Sequence, residues 1–203
     1  MLSIGHDRPS RAGIAANAHA LARYAALCQA AGLVPIVEPE VLLTGPHALA
    51  RCAAVTEEVL HEVFAQLRMQ GVALEGMLLK PSMVLAGADC PKQPTTAQVA
   101  DATMACLLRT VPAAVPGVAF LSGGQLPEDA MRHLAAMHER FAGRLPWALT
   151  FSFGRALQQP ALEIWAGQAA NVAAAQQALL EQVRSNAAAV DAGLASVSPR
   201  PQS

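Results

Sequence analysis

The sequence predicts an α/β protein in which a parallel sheet is covered by helices. Four short apolar runs, Leu33 to Val37, Met77 to Leu79, Val118 to Leu121 and Ala148 to Phe151, each end in a polar or glycine-rich cluster, the pattern of buried strands. The stretches between them carry apolar residues at helical spacing. The residues that close the units, Glu38, Lys80, Ser122 and Arg155, recur at nearly equal intervals, so a strand-helix unit repeats although its motifs do not. Such alternation gives a sheet that is either open and doubly wound or closed as a barrel, and in both cases functional groups gather at the C-terminal ends of strands.

Taken in order, Met1 to Ile4 is the stub of an earlier strand. A helix follows from about Ala12 to Ala31, with Ser10 as N-cap and Gly32 as C-cap. After the first clear strand, Leu49, Cys52, Val59, Val63 and Leu67 line one helical face; Val99 to Leu108 and Ala130 to Phe141 follow the second and third strands. An alanine-rich helix over Asn171 to Ala192 is stopped by Gly193, and the Ser- and Pro-rich residues 194–203 read as a flexible tail behind a domain of residues 1–193. Four strands make about half of an eight-stranded barrel, which typically takes ~250 residues, whereas an open sheet would be complete with four. Topology alone leaves the two open.

Composition narrows the function. The 203 residues are 53% hydrophobic and 14% charged, ample for one domain with a real core, and with aromatics at only 4% that core rests on close helix packing. Fourteen basic residues against fifteen acidic ones leave a charge of -1, so no global field favours nucleic acid or an anionic membrane, and any phosphate site must be local. Cys28, Cys52, Cys90 and Cys106 are scattered, which points to reduced thiols in a cytoplasmic protein instead of zinc or disulfides. The histidines at 6, 19, 47, 61, 133 and 138 lack metal-ligand spacing and read as structural, as Trp147 and Trp165 read as packing residues. No GxGxxG, GxSxG or P-loop pattern occurs, so neither a metal nor a cofactor is expected. The first ten residues lack the apolar segment of a secretory signal, and no apolar run approaches the roughly 18 residues that span a bilayer.

Chemistry concentrates at the strand ends. Lys80 closes Met77-Leu78-Leu79 at the mouth of a core, where desolvation favours a neutral, nucleophilic amine suited to attack on a ketone. A snorkelling surface lysine explains the same position when it is taken alone. Glu38 and Glu40 flank Pro39 and project to one side of an extended segment, an arrangement suited to proton transfer beside an imine, or equally a solvated acidic loop. Ser122-Gly123-Gly124-Gln125 and Ser152-Phe153-Gly154-Arg155 offer backbone N–H groups and a guanidinium to a phosphate, although both are also plain turn chemistry.

Together, Val34-Pro35-Ile36-Val37-Glu38-Pro39-Glu40, Leu78-Leu79-Lys80-Pro81, Phe120-Leu121-Ser122-Gly123-Gly124-Gln125 and Trp147 through Gln158 closely resemble the class I fructose-bisphosphate aldolases. The likeness also takes in Leu21-Ala22-Arg23-Tyr24-Ala25 and Arg109-Thr110-Val111-Pro112, so it covers nearly the whole chain. It implies a (β/α)8 TIM barrel, of which this chain is about the C-terminal half, strands five to eight with flanking helices. It implies a Schiff base on Lys80 with dihydroxyacetone phosphate, acid-base work by Glu38, charge support by Glu40, and a phosphate held by Ser122, Gly123, Gly124, Ser152, Gly154 and Arg155. The expected partners are sugar phosphates, together with further copies of the chain in a homo-oligomer or the N-terminal barrel half that the family carries. Ser82 stands where the family commonly has asparagine and Phe153 where it has tyrosine, and the tail lacks the terminal tyrosine of animal members. A non-catalytic relative that only binds sugar phosphate, or an interaction fragment, is the alternative.

Overall fold

Strand and helix alternate as the periodicity dictates. The computed structural model describes residues 1–194, and the side chains of residues 1–188. Its elements are α1 (Arg11–Ala30), β1 (Ile36–Val37), α2 (Leu49–Met69), β2 (Leu78–Leu79), α3 (Thr96–Thr110), β3 (Gly117–Phe120), α4 (Pro127–Phe141), β4 (Ala148–Phe151), α5 (Arg155–Trp165) and α6 (Val172–Leu194).

Helix ends follow local chemistry. The Ser10 hydroxyl accepts the Gly13 N–H at 3.1 Å at the start of α1. At its end Gly32 turns left-handed, with φ 74°, and the Leu33 N–H donates to the Cys28 carbonyl at 2.8 Å, a Schellman closure. That closure explains one departure from the sequence reading: Leu33 and Val34, expected in the strand, are 62% and 67% exposed, and β1 holds only Ile36 and Val37. Thr95 and Gln98 form a reciprocal capping box on α3. Pro127 opens α4, with Glu128 and Asp129 in its first turn and Arg140 in its last, all complementing the helix dipole.

Two helices differ from expectation. Gly193 does not stop α6, which runs on to Leu194; the tail expected over 194–203 otherwise lies outside the described residues. The helix α5 is not predicted from the sequence, and Pro160 sits inside it, a residue that ordinarily breaks a helical pattern. Trp165 at its end is 43% exposed, not the packing residue expected, whereas Trp147 is buried and donates its indole N–H to the Pro112 carbonyl at 3.2 Å.

The strands pair in sequence order, β1-β2-β3-β4, and every pair is parallel. A doubly wound sheet reverses its strand order at a switch point; this one does not. Register aligns Val37, Leu79, Val118 and Leu149 in one row, all buried, and α2, α3 and α4 pack beside one another in the same sequence order. On the other face Ile36, Ala148 and Thr150 are exposed. Helices therefore cover one side of the sheet and leave the other open, as in the wall of a barrel. Leu2 adds a parallel bridge to Val41, so the expected stub of an earlier strand exists as a single pairing beyond β1.

His138 on α4 is buried, and its Nε2 has no hydrogen-bond partner among the described residues. Burial lowers its pKa below the ordinary 6.5, so the unfolded chain takes up this proton more readily than the folded one. Stability from this group is complete above about pH 6.5 and is lost as the pH falls through that value toward the lower folded pKa. His138→Gln is expected to flatten the fall in melting temperature on acidification just below pH 6.5, removing at most about 1.4 kcal/mol per pH unit. Parallel thermal scans of parent and variant check this; identical slopes would count against it.

Candidate active site

Lys80 follows β2 directly, and its backbone N–H donates to the Val37 carbonyl at 2.7 Å. That bond keeps Lys80 extended, so by the two-residue strand period its side chain shares the open face with Leu78, and Glu38 shares it with Ile36. There the Lys80 ammonium meets the Glu38 carboxylate, Nζ to Oε2 at 3.1 Å, with the lysine side chain 19% exposed and the glutamate 46%. A mostly sheltered amine thus has a proton acceptor in contact that itself reaches solvent. Gly117, opposite Leu78 on the next strand, makes room for that side chain: a Cβ there would stand 3.2 Å from Leu78 Cδ2.

Glu40 behaves differently from its neighbour. It forms no ion pair with a described residue, and its carbonyl accepts the Leu2 N–H at 2.8 Å. The loop it begins is fastened by Ser82, whose hydroxyl accepts from the Val41 N–H at 3.0 Å and donates to the Val41 carbonyl at 3.1 Å. Three further backbone bonds join the loops after β1 and β2, from Gly87 to His47, Ala88 to Leu43 and Asp89 to Gly45. Glu38 and Lys80 therefore project from two loops tied into one unit.

The two glycine-bearing motifs lie side by side at the next strand ends. Phe120 and Phe151 are register partners, and the Ser152 N–H donates to the Phe120 carbonyl at 2.8 Å. Ser122 to Gln125 is a tight turn closed by the Gln125 N–H on the Ser122 carbonyl at 3.1 Å. Its central residues Gly123 and Gly124 have φ of 61° and 89°, a type I′ conformation that needs glycine at both positions. Beyond β4, Gly154 caps α5 and Arg155 is its exposed first residue. An 11-residue helix thus begins at the motif, its unpaired N–H groups and an arginine offering a site for an anion. Phe153 is buried and packs on Phe151 with ring centroids 5.2 Å apart, an environment that suits a phenyl ring without a hydroxyl.

Two contributors escaped the sequence reading. Ser82 registered only as a departure from a family pattern, although its hydroxyl fastens the Glu40 loop. His133, read as structural, reaches back to Gln125, with Nδ1 to Oε1 at 2.7 Å; its position on the second turn of a helix that starts just after the glycine turn is the signal that would have found it. The two buried thiols are unsuited to nucleophilic work: burial first, then Glu57, pushes Cys106 up to about 12, and burial raises Cys52. No cluster of metal-ligating side chains occurs among the described residues, and none of their helices is long and apolar enough to cross a membrane.

Residues 1–199 match the family model described as fructose-bisphosphate aldolase class-I. A probable fructose-bisphosphate aldolase class 1 from Xanthomonas axonopodis pv. citri is 51% identical over 187 residues, 92% of this chain and 55% of that protein. Fructose-bisphosphate aldolase B of Gallus gallus is 53% identical over 189 residues, 93% of this chain and 52% of its own length. Among solved structures, the fructose-bisphosphate aldolase of Plasmodium falciparum, in complex with TRAP and a small molecule inhibitor, superimposes with a TM-score of 0.90 at 48% identity. That match covers 95% of this chain and 55% of the other. The chain spans about half the length of the curated relatives it matches.

Proposed function

The chain belongs to the class I fructose-bisphosphate aldolase family, and its four parallel strands are part of a (β/α)8 barrel; from that premise we propose that it takes part in the reversible cleavage of fructose 1,6-bisphosphate to dihydroxyacetone phosphate and glyceraldehyde 3-phosphate, a step of glycolysis, through a Schiff base on Lys80. The observation that carries this reading is the sheltered Lys80 amine held 3.1 Å from Glu38.

Glu38 takes the proton of the Lys80 ammonium, and the freed nitrogen lone pair forms a bond to the ketone carbon while the carbonyl electrons move to oxygen. That oxygen is protonated and leaves as water, giving the iminium. The adjacent carbon-carbon bond then breaks as the neighbouring hydroxyl loses its proton; the bond's electrons pass to the iminium nitrogen, and the aldehyde product departs. Protonation of the resulting enamine and hydrolysis release dihydroxyacetone phosphate and return Lys80. Glu38 serves the proton steps, and Glu40 supports the charge balance beside it. Ser122, Gly123, Gly124, Ser152, Gly154 and Arg155 hold a substrate phosphate, supported by the left-handed glycine turn and the α5 N-terminus.

The reading includes a cytoplasmic setting, in keeping with the Pisum sativum relative named a cytoplasmic isozyme. It also includes assembly into a homo-oligomer, or union with further barrel strands; exposed Leu162, Trp165, Val172 and Leu179 on α5 and α6 support such a contact.

The test is borohydride reduction of the purified 203-residue chain with dihydroxyacetone phosphate, followed by mass spectrometry, with folding checked by circular dichroism. A reduced adduct on Lys80 is expected. A folded chain that yields none is not doing Schiff-base chemistry by itself, which leaves a sugar-phosphate binder or an interaction fragment.

A further inference from the structure

The Ser122 turn is held from behind. The Ser122 carbonyl accepts two bonds from Gln125, the backbone N–H at 3.1 Å and the side-chain Nε2 at 3.0 Å. A carbonyl oxygen only accepts, so the nitrogen end of the Gln125 amide must face it, with its second proton directed at Met83 Sδ, 3.6 Å away. The oxygen end then faces His133 Nδ1 at 2.7 Å, which requires Nδ1 to carry the proton. The chain of donors runs in one direction, from His133 to Gln125 to Ser122, and both protons of the Gln125 amide nitrogen have acceptors. Burial lowers the His133 pKa, opposed by the Asp129 carboxylate and aided by the Arg132 guanidinium, which favours the neutral ring with its proton on Nδ1.

We propose that His133 is a positioning residue that keeps the Ser122-Gly123-Gly124 turn shaped for a phosphate through Gln125, and so governs recognition of phosphorylated substrates without touching them. The turn needs such support because two successive glycines have little preference of their own for one backbone conformation. Without the amide brace, one backbone hydrogen bond would hold it. The inference rests on the phosphate role proposed for the turn.

The test compares His133→Leu with His133→Asn in the 203-residue chain. Asparagine Nδ2 occupies nearly the place of histidine Nδ1 and keeps the donor; leucine keeps bulk and loses it. Borohydride trapping on Lys80 is titrated with dihydroxyacetone phosphate and with dihydroxyacetone, which lacks the phosphate. His133→Leu is expected to raise the half-trapping concentration of the phosphate ester about tenfold, to leave that of dihydroxyacetone unchanged, and to be rescued by His133→Asn. Equal losses for both ketones, or no rescue, would overturn the proposal and leave His133 a packing residue. Amide exchange of Gln125 in the unliganded chain gives a second, independent reading. It should quicken in His133→Leu and not in His133→Asn, and unchanged exchange would overturn the proposal as well. If the parent chain trapped both ketones alike, the phosphate reading of the turn would fall by itself, while the exchange rates would still decide whether His133 holds that turn.

Discussion

Lys80→Arg is expected to abolish the borohydride-stable adduct, a loss of about 10³-fold or more. Arginine keeps the positive charge and can still pair with Glu38, so the electrostatics of the 3.1 Å contact survive, but a guanidinium stays protonated and offers no lone pair to a ketone. Lys80→Met removes charge and nucleophile together and should lose the adduct to the same extent. Agreement of the two would separate nucleophilicity from charge, which neither does alone. Glu38→Gln keeps the shape and a hydrogen bond but not the proton acceptor, and should slow adduct formation by about a hundredfold while leaving its final mass and position unchanged. Trapping at a different lysine, or undiminished trapping in Lys80→Arg, would remove the basis of the proposed mechanism.

The largest structural effect is expected at Gly87. A Cβ there would lie 1.9 Å from the Gly45 carbonyl oxygen, 2.7 Å from its carbon and 3.0 Å from the His47 nitrogen. All three are backbone atoms, so no side chain can swing aside. Relief requires the loops after β1 and β2 to part, at the expense of the bond from Gly87 to His47 and its neighbours. Gly87→Ala should cost about 3 kcal/mol or more, read as a lowered urea midpoint. Gly124→Ala, with open space around its Cβ and only the left-handed backbone to resist it, should cost about 1 kcal/mol. Equal midpoints for the two variants would show that the loop contact is not tight.

Part of this site is legible in the sequence. Lys80, Glu38 and the paired glycines at 123 and 124 stand directly after apolar runs, so strand period and turn chemistry were enough to put them at one rim. The limits of β1 were not legible, because Leu33 is as apolar as Ile36 and only the Schellman closure of α1 takes it out of the strand. Nor was α5, whose Pro160 contradicts the local helical pattern and is tolerated in place. The choice between an open sheet and a barrel wall needed strand order, which no single segment encodes. Gly87, Ser82 and His133 act through contacts between loops or across a turn, and such contacts exist only once the chain has folded.

The unbroken order of the strands has a consequence for biosynthesis. Each strand from β1 to β3 finds its next ladder partner in the following repeat, and α1 to α3 each pack on the helix that comes next in the chain, while α4 packs on α6. The strand ladder and the packing of α1 through α4 are therefore made between neighbouring repeats, a wiring that favours rapid folding. As the ribosome extends the chain, each new unit can dock on the one already emerged, so the pairing of Lys80 with Glu38 is available before the arginine at 155 has been translated.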